Sequence, residues 1–126
     1  MTVVQAAFEA YFRGDESGML ELLDPELVVT QFPEQVDARP YHGHEGAREV
    51  MLAWTGTWDD YSIEVVDMRE IGEHVLVSAR QSGRGKGSGV EMRGEAHFVF
   101  TLRAGKITRW QMFLTKAEAL GAAGPA

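Results

Sequence analysis

Apolar residues recur at spacings of three and four over residues 2–13, which is the pattern of one face of a helix. Gly14 interrupts this pattern, and residues 16–23 predict a short second helix. The helical spacing returns over residues 45–58. The apolar face of that third helix holds Ala47, Val50, Met51, Trp54 and Trp58.

Runs rich in apolar and β-branched residues predict five strands. These runs cover residues 27–32, 61–71, 75–84, 90–103 and 106–115. The last four follow one another through short turns, as in an antiparallel meander. A capping box from Thr115 to Glu118 predicts a closing helix. Helices first and strands later predict an α+β fold, with helices on one side of a curved, mainly antiparallel sheet.

Composition limits the class of protein. The 126 residues suit a single domain over 1–126, and 44% apolar with 25% charged residues is typical of a soluble globular protein. The net charge of -7 argues against a nucleic-acid partner. We expect no membrane contact, since no run approaches the roughly 18 apolar residues of a membrane span. The first residues lack a signal-peptide pattern, so we expect a cytoplasmic location.

Three stretches carry a resemblance to a known family: RGDESGMLELLDPELVV, YHGHEGAREV and AGKITRWQMFLTKAEAL. The chain resembles the NTF2-like superfamily over nearly its whole length, in the SnoaL-like or ketosteroid-isomerase-like branch. The resemblance implies a cone-shaped α+β fold that encloses a pocket between helices and sheet, and it implies a homodimer. It does not define the activity, because this fold hosts isomerases, cyclases, hydrolases and binding proteins.

Turn lengths divide the strand residues between two faces of the sheet. A two-residue turn at Ala104–Gly105 predicts that His97 lies opposite Met112. The mixed face then holds Val65, Asp67, Leu76, Ser78, Arg80, Glu95, His97, Val99, Trp110, Met112 and Leu114. The apolar face holds Val66, Met68, Val75, Val77, Ala79, Met92, Ala96, Phe98, Phe100 and Phe113.

We expect the helices and the pocket on the mixed face. The apolar face must also be covered, which predicts a homodimer through this outer sheet face. The alternative exchanges the two faces, so that the apolar face packs on the helices and the mixed face meets water.

His97 and Arg80 are the predicted catalytic residues. By resemblance to ketosteroid isomerase, His97 takes the place of an aspartic acid that donates a hydrogen bond to the substrate oxygen. An imidazole can do this, or act as a general acid or base near neutral pH. The structural alternative is a buried His97 that is hydrogen-bonded to Glu95 or Tyr11.

An inward guanidinium at Arg80 needs an anionic ligand or partner. The limonene-epoxide-hydrolase branch has an Arg-x-Asp pair on this strand and a further Asp on the last strand. The positions here hold Arg80, Ser82 and Met112, so the carboxylates are missing. The structural alternative is an ion pair of Arg80 with Glu95 or Asp67.

The ketosteroid-isomerase pattern also lacks its base. The aspartate of that family falls near Phe32 and Pro33, and its helix tyrosine falls near Ala7. A hydrocarbon side chain cannot accept a proton, so we do not expect that mechanism.

Large apolar side chains are predicted to line the pocket and contact a small-molecule ligand. They are Tyr11, Phe32, Trp54, Trp58, Val99, Trp110, Met112 and Leu114. We expect no cofactor and no metal. His42 and His44 stand beside Glu45, but a metal needs three or four converging ligands, and this stretch is typical of a loop that leads into a helix.

These observations predict a SnoaL-like protein that binds a small apolar, polyketide-like or steroid-like molecule. Isomerase, cyclase or hydrolase activity would depend on His97 and Arg80. The alternative is a non-catalytic ligand-binding or dimerisation module of the same fold.

Overall fold

The computed structural model describes residues 2–30 and 40–124. Its elements are α1 (Thr2–Arg13), α2 (Glu16–Glu21), β1 (Leu23–Thr30), β2 (Tyr41–His42), α3 (Gly43–Thr55), β3 (Trp58–Ile71), β4 (His74–Gly85), β5 (Glu91–Arg103), β6 (Lys106–Phe113) and α4 (Lys116–Ala123). The third helix ends earlier than predicted, and Trp58 begins a strand instead. Within the described ranges, a helix long and apolar enough to cross a membrane is not found.

A short link separates the first two helices. Gly14 has a φ of 75°, a left-handed conformation that glycine adopts at little steric cost. The carboxylate of Asp15 accepts a hydrogen bond from the backbone N–H of Gly18 at 3.0 Å and so caps α2. Helix α2 ends at Glu21, two residues earlier than predicted. Strand β1 starts at Leu23, whereas the sequence predicted that this strand starts at residue 27.

The six strands form one sheet in the order β2-β1-β6-β5-β4-β3. Neighbouring strands are antiparallel, except that β1 and β6 are parallel. The last four strands form the predicted meander, and their length lets the sheet curve around the N-terminal helices. This arrangement confirms the predicted α+β fold.

A β-bulge in β6 decides which of its residues face the helices. Ile107 pairs with Leu102 and Arg109 pairs with Thr101, so Thr108 between them is an extra residue without a cross-strand partner. Because side chains alternate along a strand, one extra residue reverses the faces of everything beyond it.

The bulge makes the predicted pairing of β5 with β6 wrong. His97 pairs with Phe113, and Phe98 pairs with Met112. The prediction had assumed a regular ladder from the turn at Ala104–Gly105, and a regular ladder has no place for the extra residue.

The pairing of β4 with β5 keeps the predicted faces but differs in register. Ser78 pairs with His97, and Arg80 pairs with Glu95. The sequence-based register assumed that the glycine-rich turn places Arg84 opposite Gly89, but Arg84 pairs with Glu91, so the turn is two residues longer. A shift of two residues leaves each side chain on its own face.

A second bulge corrects the face of Val65. Asp67 pairs with Ser78 on the predicted face, but Val65 pairs with Ala79, because Val66 is an extra residue in β3. Val65 therefore belongs to the apolar face.

Helices α1 and α3 cover the apolar face, which we call the inner face. The Phe8 ring of α1 lies 6.4 Å from the Phe98 ring and 5.9 Å from the Phe100 ring, measured between centroids. The expectation that helices cover the mixed face is therefore wrong, and for the helices the exchanged arrangement holds. The buried core comprises Val4, Ala7, Ala10, Met19, Leu23, Leu27, Val29, Ala47, Val50, Val75, Val77, Ala79, Ala96, Phe98, Phe100, Ile107 and Met112.

The mixed face, which we call the outer face, is covered in part by α4. Thr115 caps this helix by accepting a hydrogen bond from the backbone N–H of Glu118 at 3.2 Å, as the capping box predicted. The apolar residues between α4 and the sheet are Ile71, Leu76, Val99, Ala119 and Ala123. The outer face therefore has its own small core beneath α4, and only the rest of it meets water.

Candidate functional site

The inner face is open at Gly94. This glycine pairs with Gln81 of β4, on the same face as Phe98. A Cβ atom added to Gly94 would have no atom within 4 Å, and its φ lies outside the left-handed region. We call the space above these positions the cleft. Its inner-face residues are Ile63, Val65, Ala79, Gln81 and Gly94.

Gln81 is a buried polar residue on this apolar face. Its side chain is 8% exposed, and its Oε1 accepts a hydrogen bond from the hydroxyl of Tyr61 at 3.0 Å. The pairing of Ile63 with Gln81 places Tyr61 on the inner face as well. A buried amide oriented by a phenol is the kind of polar group that fixes a ligand in an apolar site.

The far end of the cleft is formed by Trp58 and Gly83. A Cβ atom at Gly83 would lie 3.1 Å from the Cβ atom of Trp58, so glycine allows the tryptophan to pack closely on β4. Trp58 is thus on the inner face, as its predicted ligand contact requires, although it lies on β3 and not on a helix.

Aromatic rings fill the inner face beyond the cleft. The Phe100 and Trp110 rings are stacked, with centroids 6.0 Å apart and an interplanar angle of 24°. Phe98 contacts Trp110 edge-on at 6.3 Å. Trp110 and Met112 are therefore inner-face residues, as the ligand prediction needs, but through a register different from the predicted one.

Tyr11 of α1 packs against the same core. Burial raises the pKa of its phenol above the ordinary value, because desolvation disfavours the phenolate. Tyr11 is therefore neutral at physiological pH and able to donate a hydrogen bond.

Two other predicted ligand contacts, Val99 and Leu114, are not brought to the cleft. Val99 is fully buried under α4 on the outer face. Leu114 follows the end of β6 and is 44% exposed. Phe32 and the side chain of Trp54 lie outside the part of the chain that the structure describes.

His97 lies on the outer face, not in the cleft. It is 3% exposed, and its Nδ1 lies 3.0 Å from the hydroxyl oxygen of Ser78. Its Nε2 lies 3.3 Å from Oε1 of Glu95, whose side chain is 72% exposed. A single neutral tautomer satisfies both contacts, with Nε2–H donating to Glu95 and Nδ1 accepting from Ser78. The structural alternative, a buried histidine bonded to Glu95, matches this geometry.

Arg80 also lies on the outer face, two residues along β4 from Ser78. Its side chain is 71% exposed, and its Nη1 lies 3.9 Å from Oε1 of Glu64. An exposed pair at this distance contributes little to stability. The placement of both predicted catalytic residues on the face beneath α1 and α3 is therefore wrong, since it depended on these helices covering the mixed face.

An open groove of about 1540 Å³ runs along β3, β4 and β5. Its charged members at paired positions carry both signs, and the register places them on the outer face: Glu64, Arg80, Arg84, Glu91, Arg93 and Glu95. The groove is lined by Phe12, Asp60, Ser62, Ile63, Glu64, Val65, Val66, Ser78, Ala79, Arg80, Gln81, Ser82, Gly83, Arg84, Glu91, Arg93, Gly94 and Glu95.

His42 ends β2, and His44 lies in the first turn of α3. Nε2 of His44 lies 2.7 Å from the backbone oxygen of Leu23, which ties the start of α3 to β1. Gly43 has a φ of 70°, and His42 is exposed. In the described ranges no cluster of three or more His, Cys, Asp or Glu side chains suits a metal ion.

Sequence reasoning missed Tyr61, Gln81 and Gly94. The signal for Gln81 was present, because it continues the alternation of Val75, Val77 and Ala79 on β4 and so had to share their face. In the sequence, Gly94 resembled a turn residue, not a position that leaves open space on the inner face.

Comparison with known proteins agrees with this architecture. Residues 4–110 match the SnoaL-like domain, so the chain belongs to the SnoaL-like family. No curated protein sequence matches the chain significantly.

Three solved structures illustrate the similarity. An NTF2-like protein from Burkholderia thailandensis is 22% identical with a TM-score of 0.82, over 98% of this chain and 96% of that one. A candidate polyketide cyclase from Sinorhizobium meliloti is 25% identical with a TM-score of 0.69, over 89% and 94%. TerC, co-crystallised with polyporic acid, is 18% identical with a TM-score of 0.76, over 94% and 92%.

Proposed function

We propose that this protein binds a small, largely apolar molecule in the cleft between α1 and the inner sheet face. The observation that carries the proposal is the open space at Gly94 beside a buried amide, on a face that is otherwise apolar. Ligand sites of proteins combine these two features, an apolar wall and a few fixed polar groups. Polyketide-like and steroid-like molecules have the required size and apolar character.

The proposed role is binding, without acid–base catalysis by His97 or Arg80. Both side chains lie across the sheet from the cleft. The regularly paired inner-face positions around the cleft hold neutral side chains. These positions are Ile63, Val65, Ala79, Gln81, Gly83, Met92, Gly94 and Ala96. Such groups can orient a ligand by hydrogen bonds, but they are poor proton acceptors at neutral pH.

Gly94→Leu tests the site directly. The new side chain enters the open space, so it should block the ligand while leaving the fold intact, because no atom within 4 Å opposes its Cβ. Arg93→Leu is the matched control, since the neighbouring residue on the same strand places the same side chain on the outer face.

The measurement is the melting temperature in a screen of apolar compounds that includes polyporic acid. A ligand at 100 times its Kd stabilises the folded state by about 2.7 kcal/mol. We expect it to raise the melting temperature of the wild type and of Arg93→Leu but not of Gly94→Leu. Equal stabilisation of all three proteins would place the ligand elsewhere and disprove the proposed site.

The homodimer remains a prediction, but the argument that an uncovered apolar face requires a partner no longer holds. Helices α1 and α3 cover the apolar face within one chain, so that face is not available to a partner. A dimer through the outer face would use the part that α4 leaves exposed, around Glu64, Arg80 and Glu95. Light scattering at micromolar concentration distinguishes this dimer from a monomer.

A further inference from the structure

The indole nitrogen of Trp110 is a buried hydrogen-bond donor that lacks an acceptor. Its Nε1 is fully buried, and no residue in the described part of the chain accepts a hydrogen bond from it. An indole N–H can only donate, and a buried tryptophan usually finds a partner for it. Leaving such a donor unpaired in an apolar interior is unfavourable, and native proteins contain few donors of this kind. The N–H of Trp110 therefore indicates an acceptor that the ligand supplies.

The position of Trp110 in the fold suits contact with a ligand. Trp110 lies on β6, an interior strand of the sheet, and on the inner face. Its cross-strand partners Val29 and Phe100 are buried, but Trp110 itself is only partly buried. Because protein interiors are closely packed, a side chain in the middle of a covered face stays partly exposed only where the cover leaves space beside it. The indole therefore borders an accessible space on the inner face.

The aromatic neighbours hold the indole in a fixed orientation. The Phe100 ring is stacked on it at 6.0 Å, and the Phe98 ring meets it edge-on at 6.3 Å. Phe8 of α1 contacts both phenylalanines, which ties this cluster to the covering helix. Stacking uses the face of the indole, whereas an acceptor of its N–H lies in the ring plane. A ligand oxygen can therefore bond to Nε1 without breaking the stack.

The residues around Trp110 indicate that the acceptor is uncharged. Phe98, Phe100 and Val29 contact or pair with Trp110, and Met112 follows it on the same face of β6. None of these side chains can neutralise an anion, and an unpaired charge in an apolar site carries a large desolvation penalty. A ketone or quinone oxygen accepts a hydrogen bond without that penalty.

We infer that Trp110 recognises the polar end of the ligand, by donating its indole N–H to an uncharged oxygen of an otherwise apolar ring compound. Gly94, Ala96 and Phe98 form one row of inner-face positions on β5, and Phe98 contacts Trp110. Four residues of a strand span about 13 Å, so a molecule in the cleft reaches Trp110 only if it is elongated. The inference rests on the proposed function, because it assigns a polar contact to the same ligand.

Three elongated probes of nearly identical shape test it. 4-Acetylbiphenyl carries a ketone oxygen, 4-isopropenylbiphenyl has a methylene group in place of that oxygen, and biphenyl-4-carboxylate carries a charge at the same end. We expect the wild type to bind the ketone about tenfold more tightly than the alkene, which is the effect of one well-placed hydrogen bond. The carboxylate should bind more weakly than the ketone, because the inner face would have to bury its charge. Isothermal titration calorimetry measures all three affinities.

Nuclear magnetic resonance observes the hydrogen bond itself. The chain has three tryptophans, so its nitrogen–proton correlation spectrum contains three indole signals, and the signal lost in Trp110→Phe is that of Trp110. A hydrogen bond deshields the indole proton. 4-Acetylbiphenyl should therefore move the Trp110 proton signal downfield, and 4-isopropenylbiphenyl should not. A purely structural role of Trp110 would not produce this difference.

Two variants of neighbouring residues on β6 separate recognition from packing. Trp110→Phe keeps an aromatic ring but removes the N–H, so the ketone and the alkene should bind it with equal affinity. The ratio of the two affinities is the readout, because a loss of packing weakens both probes alike. Arg109→Leu changes the adjacent, exposed residue and should keep the tenfold preference for the ketone. If Trp110→Phe does not fold, the shift of the downfield signal in the wild type still decides.

The possible results distinguish this inference from the proposed function. If no probe binds the wild type, the proposed function is contradicted, and the inference fails with it. If the ketone and the alkene bind the wild type equally, the inner face binds ring compounds, but Trp110 does not recognise the oxygen. A preference that persists in Trp110→Phe, or a Trp110 signal that does not move downfield when the ketone binds, would assign recognition to another group and overturn the inference. Tighter binding of the carboxylate than of the ketone would contradict an uncharged acceptor.

Discussion

Phe98 and Met112 are direct cross-strand partners, and both are buried on the face that α1 and α3 cover. This pair defines the inner face, because the other inner-face positions follow from it by alternation along the strands once the bulges at Thr108 and Val66 are counted. It also separates the cleft from His97, which is the next residue along β5 and therefore points to the opposite side of the sheet.

The first prediction tests this pairing through two neighbouring residues of β6. Met112→Asp places a charge in the inner core and should lower the free energy of unfolding by about 4 kcal/mol or more. Gln111→Asp, on the outer face and only partly buried, should cost about 1 kcal/mol or less. Urea denaturation measures both values, and a larger loss for Gln111→Asp would contradict the observed register.

Helix positions could be predicted from the sequence because they depend on local patterns. The spacing of apolar residues over 2–13 predicted α1 with its bounds, and the capping box predicted the start of α4 at Lys116. Each signal lies within one or two turns of chain, so no knowledge of tertiary contacts is required.

The faces of the strands could not be predicted as reliably, because they depend on single residues. Thr108 and Val66 are compatible with regular strands, and nothing in their chemistry marks them as bulges. Each nevertheless reverses the faces beyond it, which moved Val65, Trp110 and Met112 to the inner face.

The wrong prediction that a partner subunit covers the apolar face has a different physical reason. The argument that the face with Phe98 and Phe100 must be covered was correct. The cover is supplied by α1 and α3 of the same chain, so no partner is needed for it. The polar residues of the mixed face suggested a pocket, but an antiparallel sheet commonly has one polar face of this kind.

The second prediction concerns the buried contact between His97 and Ser78. Removing either partner leaves a buried polar group without its hydrogen bond, so His97→Ala and Ser78→Ala should each destabilise the fold by about 1–3 kcal/mol. The double variant should lose less than the sum, with a coupling energy of about 1 kcal/mol.

An exposed pair of hydroxyls on the neighbouring strands β3 and β4 provides the control. The hydroxyls of Ser62 and Ser82 are also 3.0 Å apart, but water can replace their contact. The corresponding double-mutant cycle should give a coupling energy near zero, measured by chemical denaturation under the same conditions. Equal coupling in the two pairs would show that burial does not strengthen the contact of His97 with Ser78.

The third prediction is a pH dependence caused by Tyr11. Burial raises the pKa of its phenol in the folded protein, while in the unfolded chain the phenol ionises at about pH 10. The folded state therefore holds this proton more tightly. The contribution to stability is fully present below about pH 10 and is lost as the pH rises through the folded-state pKa. Phenylalanine has no such proton, so the stability of Tyr11→Phe should lack this component.

Chemical denaturation of both proteins from pH 7 to pH 11 isolates the effect, because the other titrating groups contribute equally to each. The difference in unfolding free energy should be constant up to about pH 9. It should then shift in favour of Tyr11→Phe as the phenolate becomes accessible only through unfolding. A constant difference up to pH 11 would mean that Tyr11 ionises in place and that water reaches its hydroxyl on the inner face.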